Sequence, residues 1–347
     1  MSVHSGMINA VLRAKMGAVL SLLNNRYKPN INALNDVVRN INMLHLNVKT
    51  LGYELARQLS AALPVQQGLT PRHVGLSCKA SIQADLESDW VAQWCAALQI
   101  PVMFHRKVWE LAYVLQAIYE NGHIREGARG LGFGCGVEPL PSLLASRGVS
   151  ITMTDLEPVQ AAESGWIETH QHMSDRDGAF RSELVDRATF DEKVRLRYVD
   201  MNAIPADLTD FDFCWSICAL EHLGTIEKGL AFVENSLATL KPGGLSVHTT
   251  EYNINPDGPT VDDQGTVLYQ KHHVEALATR LRAKGHFVAP FDFALGDKPL
   301  DRFIDVPPFH PDLGIEMQQF LGNPLHLKVA VDGFACTCFG LLIRKVA

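Results

Sequence analysis

The sequence feature that most constrains the fold is a loop with glycine at alternate positions, Gly132, Gly134 and Gly136. An apolar segment able to form a helix follows at residues 140–144, and the next strand pattern ends in Asp155. Glycine tolerates positive φ and has no Cβ, so such a loop lets the backbone pass close to a ligand. An acid at the end of the next strand can accept hydrogen bonds from ribose hydroxyls. This order of elements predicts a nucleotide-binding βαβ unit.

Strand and helix patterns alternate between residues 151 and 245. This alternation is typical of an α/β fold in which helices cover both faces of a parallel sheet. Residues 287–295 and 334–344 are predicted to form the last two strands. The long, proline-containing stretch between them, residues 296–328, is expected to cover the acceptor side of the domain.

These motifs, spaced G-x-G-x-G and not G-x-G-x-x-G, resemble those of the class I S-adenosylmethionine-dependent methyltransferases. The resemblance extends over roughly Val108 to Lys345. It implies a Rossmann-like sheet that is mostly parallel with an antiparallel last strand, and S-adenosyl-L-methionine as the cofactor. A helical N-terminal extension would precede this domain.

The resemblance also assigns the cofactor-binding residues. Asp155 and Leu156 would engage the ribose, and Asp200 with Met201 would bracket the adenine. The full predicted set is Gly132, Phe133, Gly134, Gly136, Asp155, Leu156, Asp200, Met201 and Ser216. Many relatives carry an acid two residues before the first glycine of the loop, where this chain has Gly130.

Catalysis of methyl transfer requires alignment of the reacting groups and often removal of a proton. We expect the acceptor beyond the carboxyl ends of the fourth and fifth strands. His222 is the candidate base, because its unperturbed pKa of about 6.5 is easily moved to neutrality, and Glu221 is the second catalytic candidate. The alternative is that both residues only cap the following helix. Glu251, Tyr252 and His272 are predicted to contact the substrate.

A narrower resemblance concerns the small-RNA 3′-terminal 2′-O-methyltransferases, in which two glutamates and two histidines hold a divalent ion. Glu221, His222 and His272 match three of these ligands, so a divalent metal, Mg²⁺ or Mn²⁺, is a possible second cofactor. The fourth position is Cys218, a poor ligand for a hard ion such as Mg²⁺. The alternative is that His272 belongs to the polar surface of a helix start.

The N-terminal region, residues 1–63, is predicted to be helical. After an apolar run at Met7–Leu23 and a break at Pro29, an a/d heptad pattern indicates a coiled coil that joins protomers. Its apolar positions are Leu34, Val37, Ile41, Leu44, Val48, Leu51 and Leu55. The alternative is an amphipathic helix packed on its own domain. Residues 64–107 are predicted to form a linker and a helical lid, and residues 108–347 the methyltransferase domain.

Composition restricts the environment and the partners. The net charge of −7 and the lack of a long Lys/Arg run argue against a nucleic-acid partner. No secretory leader is recognised, and no run of about 20 apolar residues predicts a membrane span. The seven cysteines are odd in number and irregularly spaced, which favours a reducing cytoplasm.

Together these features predict a cytoplasmic O-methyltransferase that uses S-adenosylmethionine. Its partner would be a small-molecule or glycan acceptor, such as a sugar or glycan precursor, because the acceptor-side strand end is polar. Two alternatives stay open at this point: a metal-assisted RNA 2′-O-methyltransferase, and a non-catalytic, cofactor-binding assembly subunit.

Overall fold

The computed structural model describes residues 30–64, 68–163, 175–262 and 265–346. The apolar run predicted at Met7–Leu23 and residues 65–67 of the predicted linker lie outside these ranges. The chain divides into two compact units. The first comprises the chain up to Leu51 together with Val306–Leu321, and the second comprises Gly52–Asp305 and Gly322–Ala347.

The elements are numbered in chain order. The helices of the described residues are α1 Ile31–Ala61, α2 Gln83–Leu86, α3 Asp89–Ala97, α4 Arg106–Glu120, α5 Leu140–Ser146, α6 Pro158–Glu163, α7 Arg187–Lys193, α8 Ile226–Ser236, α9 Lys271–Ala283 and α10 Ile315–Leu321. The strands are β1 Cys78–Ala80, β2 Arg129–Phe133, β3 Ser150–Asp155, β4 Val194–Tyr198, β5 Phe211–Ile217, β6 Leu240–Asn253, β7 Phe287–Val288, β8 Phe291–Asp292, β9 Ile304–Asp305, β10 Lys328–Val331 and β11 Phe334–Arg344.

The second unit contains a sheet with the strand order β4-β3-β2-β5-β6-β11-β1-β8. Strands β2 to β6 run parallel to one another, and β11 runs antiparallel to β6. The predicted fold class, a Rossmann-like, mostly parallel sheet with an antiparallel last strand, is therefore confirmed. The glycine loop follows β2 and Asp155 ends β3, so both lie at the same edge of the sheet.

The far edge of the sheet differs from the prediction. The strand expected over residues 287–295 is broken at Pro290 into β7, which pairs with β11, and β8, which pairs with β1. Proline has no N–H to donate within a ladder. Its carbonyl oxygen accepts from the Cys78 backbone N–H at 2.9 Å instead. Strand β1 lies in the stretch that was predicted to be linker and lid. It was not predicted as a strand because three residues are too few to show an alternating pattern. The second unit thus extends to both sides of residue 108, where the sequence predicts a domain boundary.

Two glycines of strand β2 are required because aromatic rings of the neighbouring strand β5 occupy the space that their side chains would fill. All seven residues of β5 are buried, and the rings of Phe213 and Trp215 stack at 5.9 Å between centroids. A Cβ at Gly130 would overlap the Phe213 ring, and a Cβ at Gly132 would overlap the Trp215 ring. The sheet can hold both aromatic rings only because the neighbouring strand β2 lacks side chains at these two positions.

Helix α1 presents the predicted heptad stripe to solvent. Val37, Ile41, Leu44, Val48, Leu51 and Leu55 are between 37% and 71% exposed. Lys49, on another face of the helix, is buried and its Nζ donates to the carbonyl oxygen of Val306 at 3.1 Å. These six side chains are thus not buried by the described residues of their own unit, and the coiled coil stays a prediction.

The structure also bears on the predicted lack of a membrane span and on the state of the cysteines. None of the described helices has both the length and the apolar character that crossing a membrane requires. All seven cysteines are free thiols, and all except Cys218 are buried.

Candidate functional site

A cavity of about 680 Å³ lies at the carboxyl ends of β2, β3 and β5. Its walls come from the loop after β2 (residues 134–139), the end of β3 (155–156), the loop after β4 (199–202) and the segment after β5 (217–219 and 222–223). The rest of the lining consists of Lys107 and Leu111 of α4, Gln160 of α6 and Gly265. Four loops that are far apart in sequence thus meet at one edge of the sheet, where ligands bind in α/β folds.

The glycine loop forms part of the cavity wall. Gly134 and Gly136 adopt φ values of +57° and +50°, a region that favours glycine. A Cβ at Gly134 would also lie 2.9 Å from the Cβ of Ala219. Gly132 and Phe133, predicted to bind the cofactor with them, do not line the cavity. They belong to β2, where Gly132 packs under Trp215 and Phe133 is buried, so their role is to support the loop.

The carboxylate of Asp155 is held in a fixed orientation at the cavity. Its Oδ2 accepts from the backbone N–H of Gly136 at 3.1 Å, and its Oδ1 accepts from the backbone N–H of Leu156 at 2.8 Å. A carboxylate oxygen can accept more than one hydrogen bond. These bonds link the glycine loop to β3, and the binding of ribose hydroxyls by Asp155 stays a prediction.

Asp200 and Met201 line the cavity beside Leu156 and Val199. Asp200 is exposed and its Oδ1 accepts from the backbone N–H of Asn202 at 2.8 Å, whereas Met201 is buried. Together they offer an apolar slot with a carboxylate at its rim. This is the arrangement expected around an adenine ring.

Ser216 is placed differently from the prediction. It is buried, does not line the cavity, and its hydroxyl lies 2.8 Å from Nδ1 of His248. Successive side chains of a strand point to opposite faces. Its neighbour Ile217 therefore lines the cavity instead.

The catalytic candidates His222 and Glu221 occupy different environments. His222 lines the cavity, and its Nδ1 lies 2.9 Å from the carbonyl oxygen of Gly265 and 3.2 Å from the Thr266 hydroxyl. A carbonyl oxygen only accepts, so Nδ1 carries a proton and, in the neutral ring, Nε2 carries the lone pair. Glu221 is fully buried, does not line the cavity, and accepts from the Thr250 hydroxyl at 3.0 Å. Burial raises the pKa of Glu221 above its ordinary value.

The predicted substrate residues do not reach the cavity. Strand β6 pairs with β11 as far as Asn253, so Glu251 and Tyr252 lie inside the sheet and not beyond its edge. Glu251 forms an ion pair with Arg106, and the ring of Tyr252 packs on Phe339. His272 is exposed at the start of α9, where it packs on His273.

The predicted metal ligands Glu221, His222 and His272 are not brought together. Among the described residues, two groups of three ligand atoms come within 4.8 Å of one another, Glu110 with Cys218 and Cys338, and Cys218 with Glu221 and Glu251. Neither group contains a histidine, and each includes a thiol, which suits a hard ion poorly. The guanidinium of Arg106 also contacts this region, with Nη1 bonded to Glu251 and 3.5 Å from the Cys338 sulfur. The residues do not fit the predicted divalent ion.

The cavity residues that were not predicted as site residues include Lys107, Glu138 and Cys218. Lys107 is half-buried at the start of α4, with Nζ 3.5 Å from Oε1 of Glu110. Oε2 of Glu138 accepts from the indole Nε1–H of Trp215 at 3.2 Å. Cys218 has a φ of +44°, unusual for a residue other than glycine, and its thiol donates to Glu110 at 2.8 Å. An acid directly after the glycine loop was the available signal for Glu138, whereas no sequence pattern marked Lys107.

The strand order and the cavity at its carboxyl edge define the architecture. The fold is that of the class I methyltransferases. No family model matches the sequence, and no curated protein matches it. The fold is therefore assigned from the strands themselves.

Several solved structures are similar to this chain at low identity. Phosphoethanolamine N-methyltransferase 2 of Haemonchus contortus with S-adenosyl-L-methionine matches at 15% identity and a TM-score of 0.40, covering 67% of this chain and 52% of that one. The cyclase SpnF matches at 17% and 0.43, covering 85% and 97%. The methyltransferase domain of the bacterial protein CtHen1-CN matches at 13% and 0.41, covering 69% and 100%. Likenesses this distant do not indicate which reaction this chain catalyses.

Proposed function

We propose that this protein is an S-adenosylmethionine-dependent O-methyltransferase that acts on a hydroxyl group of a small polar acceptor. The observation that carries the proposal is a single cavity whose lining contains two chemically different sets of residues. One set is the glycine loop, Asp155 and the Asp200–Met201 pair, and the other is His222. The first set suits a nucleoside, and the second suits proton transfer.

The residues of the first set fit the proposed cofactor. Gly134 and Gly136 present backbone without a side chain at two positions of the loop, Asp155 is oriented by two backbone donors, and Met201 offers an apolar surface. When bound, S-adenosylmethionine supplies a methyl group on a positively charged sulfur that is already activated for transfer. The protein must then align the acceptor and remove its proton.

His222 is the proposed general base. The contact with the Gly265 carbonyl fixes the tautomer, so that Nε2 can take the proton of the acceptor hydroxyl. An alcohol needs such a base more than an amine does, which supports oxygen as the methylated atom. Glu221, buried behind the cavity wall, would position this segment through its bond to Thr250.

The size and charge of the cavity support a small polyol, such as a sugar or glycan precursor, over RNA. A volume of about 680 Å³ is typical of small-molecule sites. Asp155 and Asp200 line it beside one lysine, Lys107, and the chain carries a net charge of −7. An acidic surface disfavours a phosphodiester backbone.

The test has two steps. Calorimetry with S-adenosylhomocysteine first measures cofactor binding, and the absence of binding would refute the proposal. Transfer of labelled methyl groups is then measured with a panel of sugars and other polyols, and with small RNA, each with and without EDTA. Transfer to a polyol that withstands EDTA supports the proposal. Transfer to RNA that EDTA abolishes favours the metal-assisted alternative, and binding without any transfer favours the assembly subunit.

We also propose that copies of the chain associate through the exposed stripe of α1. Its a and d side chains repeat at the 3.5-residue period of a coiled coil, in which one helix covers another. Asp36 and Arg39, which flank Val37 of the stripe in sequence, form an ion pair within the helix at 3.0 Å. A second identical helix could therefore approach without like-charge repulsion.

A further inference from the structure

We infer that Glu138 binds the α-ammonium group of the cofactor's methionine moiety and thereby supplies the negative charge that β2 lacks at Gly130. This inference rests on the proposed function and assigns one part of the ligand to one side chain. It arises from the packing of the aromatic residues under the glycine loop.

An acid cannot be accommodated at residue 130 in this chain. A Cβ there would overlap the ring of Phe213 and would lie 2.9 Å from Cδ1 of Ile151. Phe213 is fully buried in the central strand β5 and stacks on both Trp215 and His123. Its ring cannot move aside without disrupting the core, so residue 130 must be glycine.

The same aromatic pair places a different acid at the cavity. Because Gly132 has no side chain, the indole of Trp215 lies against β2. Its Nε1–H donates to Oε2 of Glu138 at 3.2 Å, and Glu138 lines the cavity directly after the glycine loop. Trp215 therefore holds the Glu138 carboxyl at the side of the cavity formed by β5.

Among the described residues, the charges that act on Glu138 are mostly negative. Burial raises the pKa of Glu138 to about 8, the negative charges of Glu110 and Asp155 act in the same direction, and Lys107 opposes them. Lys107 itself already faces Glu110. An ammonium group bound beside Glu138 would stabilise its carboxylate form. Lys107, which also lines the cavity, has the charge to attract the α-carboxylate of the same ligand.

The test compares two ligands that differ in the methionine moiety. S-adenosylhomocysteine carries the α-ammonium and α-carboxylate, and 5′-methylthioadenosine lacks both. E138Q should weaken S-adenosylhomocysteine roughly 10- to 100-fold, the range for loss of a charged hydrogen bond. It should leave the affinity for methylthioadenosine unchanged. E157Q, which removes an exposed acid outside the cavity lining, is the matched control and should change neither affinity.

A second measurement follows the proton. At pH 7 the binding of S-adenosylhomocysteine should release a proton from Glu138, seen by calorimetry in two buffers of different ionisation enthalpy, and E138Q should abolish this release. Unchanged affinity for S-adenosylhomocysteine in E138Q would overturn the inference alone. The inference would also be overturned if E138Q lost the same affinity for both ligands, or if the variant were partly unfolded at the assay temperature. Either result would give Glu138 a structural role. If the wild type binds neither ligand, the proposed function fails with it.

Discussion

Replacement of Asp155 by asparagine tests the proposed nucleoside-binding residues of the cavity most directly. The carboxylate accepts backbone N–H groups of Gly136 and Leu156 and, in the proposed complex, the ribose hydroxyls. Asparagine keeps the shape but has one acceptor oxygen, and its NH₂ group must face an N–H donor or the ribose. Loss of a hydrogen bond to a charged group costs about 1.5–3 kcal/mol. That corresponds to a roughly 10- to 150-fold weaker affinity for S-adenosylhomocysteine.

The assay is isothermal calorimetry of Asp155→Asn, with Asp257→Asn as the control. Asp257 is exposed and does not line the cavity, so its replacement should leave the affinity unchanged. Because Asp155 also links the glycine loop to β3, the melting temperature of both variants should be recorded. A folded Asp155→Asn protein with wild-type affinity would refute the assignment of this residue to the ribose.

Three further predictions concern other parts of the molecule. His222→Ala should lower turnover by ~10²–10⁴-fold, as for loss of a general base, with nearly unchanged cofactor affinity; unchanged turnover would refute the role. Ile41→Asp with Val48→Asp should place charges in the α1 stripe and give a smaller particle in light scattering, and a wild type that is already monomeric would contradict the association. Burial lowers the pKa of His248 to about 3, so the neutral ring stabilises the fold fully above its unfolded pKa of about 6.5, and this contribution is lost as the pH falls towards 3. Denaturant titrations should show that the unfolding free energy of the wild type falls between pH 6.5 and pH 3 by on the order of 4–5 kcal/mol more than that of His248→Gln. An equal fall in the two proteins would contradict this role of His248.

The sequence alone determined the features whose cause is local. Positive φ requires glycine at Gly134 and Gly136, strand alternation marks buried segments, and an acid ending β3 falls at the edge of the sheet. The Rossmann-like order of strands and the positions of Asp155 and Met201 at the cavity were therefore predictable. The heptad of α1 was also readable, because its 3.5-residue period is a property of one helix.

Tertiary structure decided everything that depends on residues distant in sequence. Glu251 and Tyr252 were predicted to contact the substrate, yet they pair with β11 inside the sheet. How far β6 pairs with β11 depends on both strands and is not a property of β6 alone. Lys107 reaches the cavity because α4 packs against the sheet. Gly130 is explained by the ring of Phe213 in another strand, and the same packing directs Trp215 to Glu138. Side-chain packing between separate strands thus selected which of the chemically suitable residues face the ligand, and no pattern within a single segment carries that information.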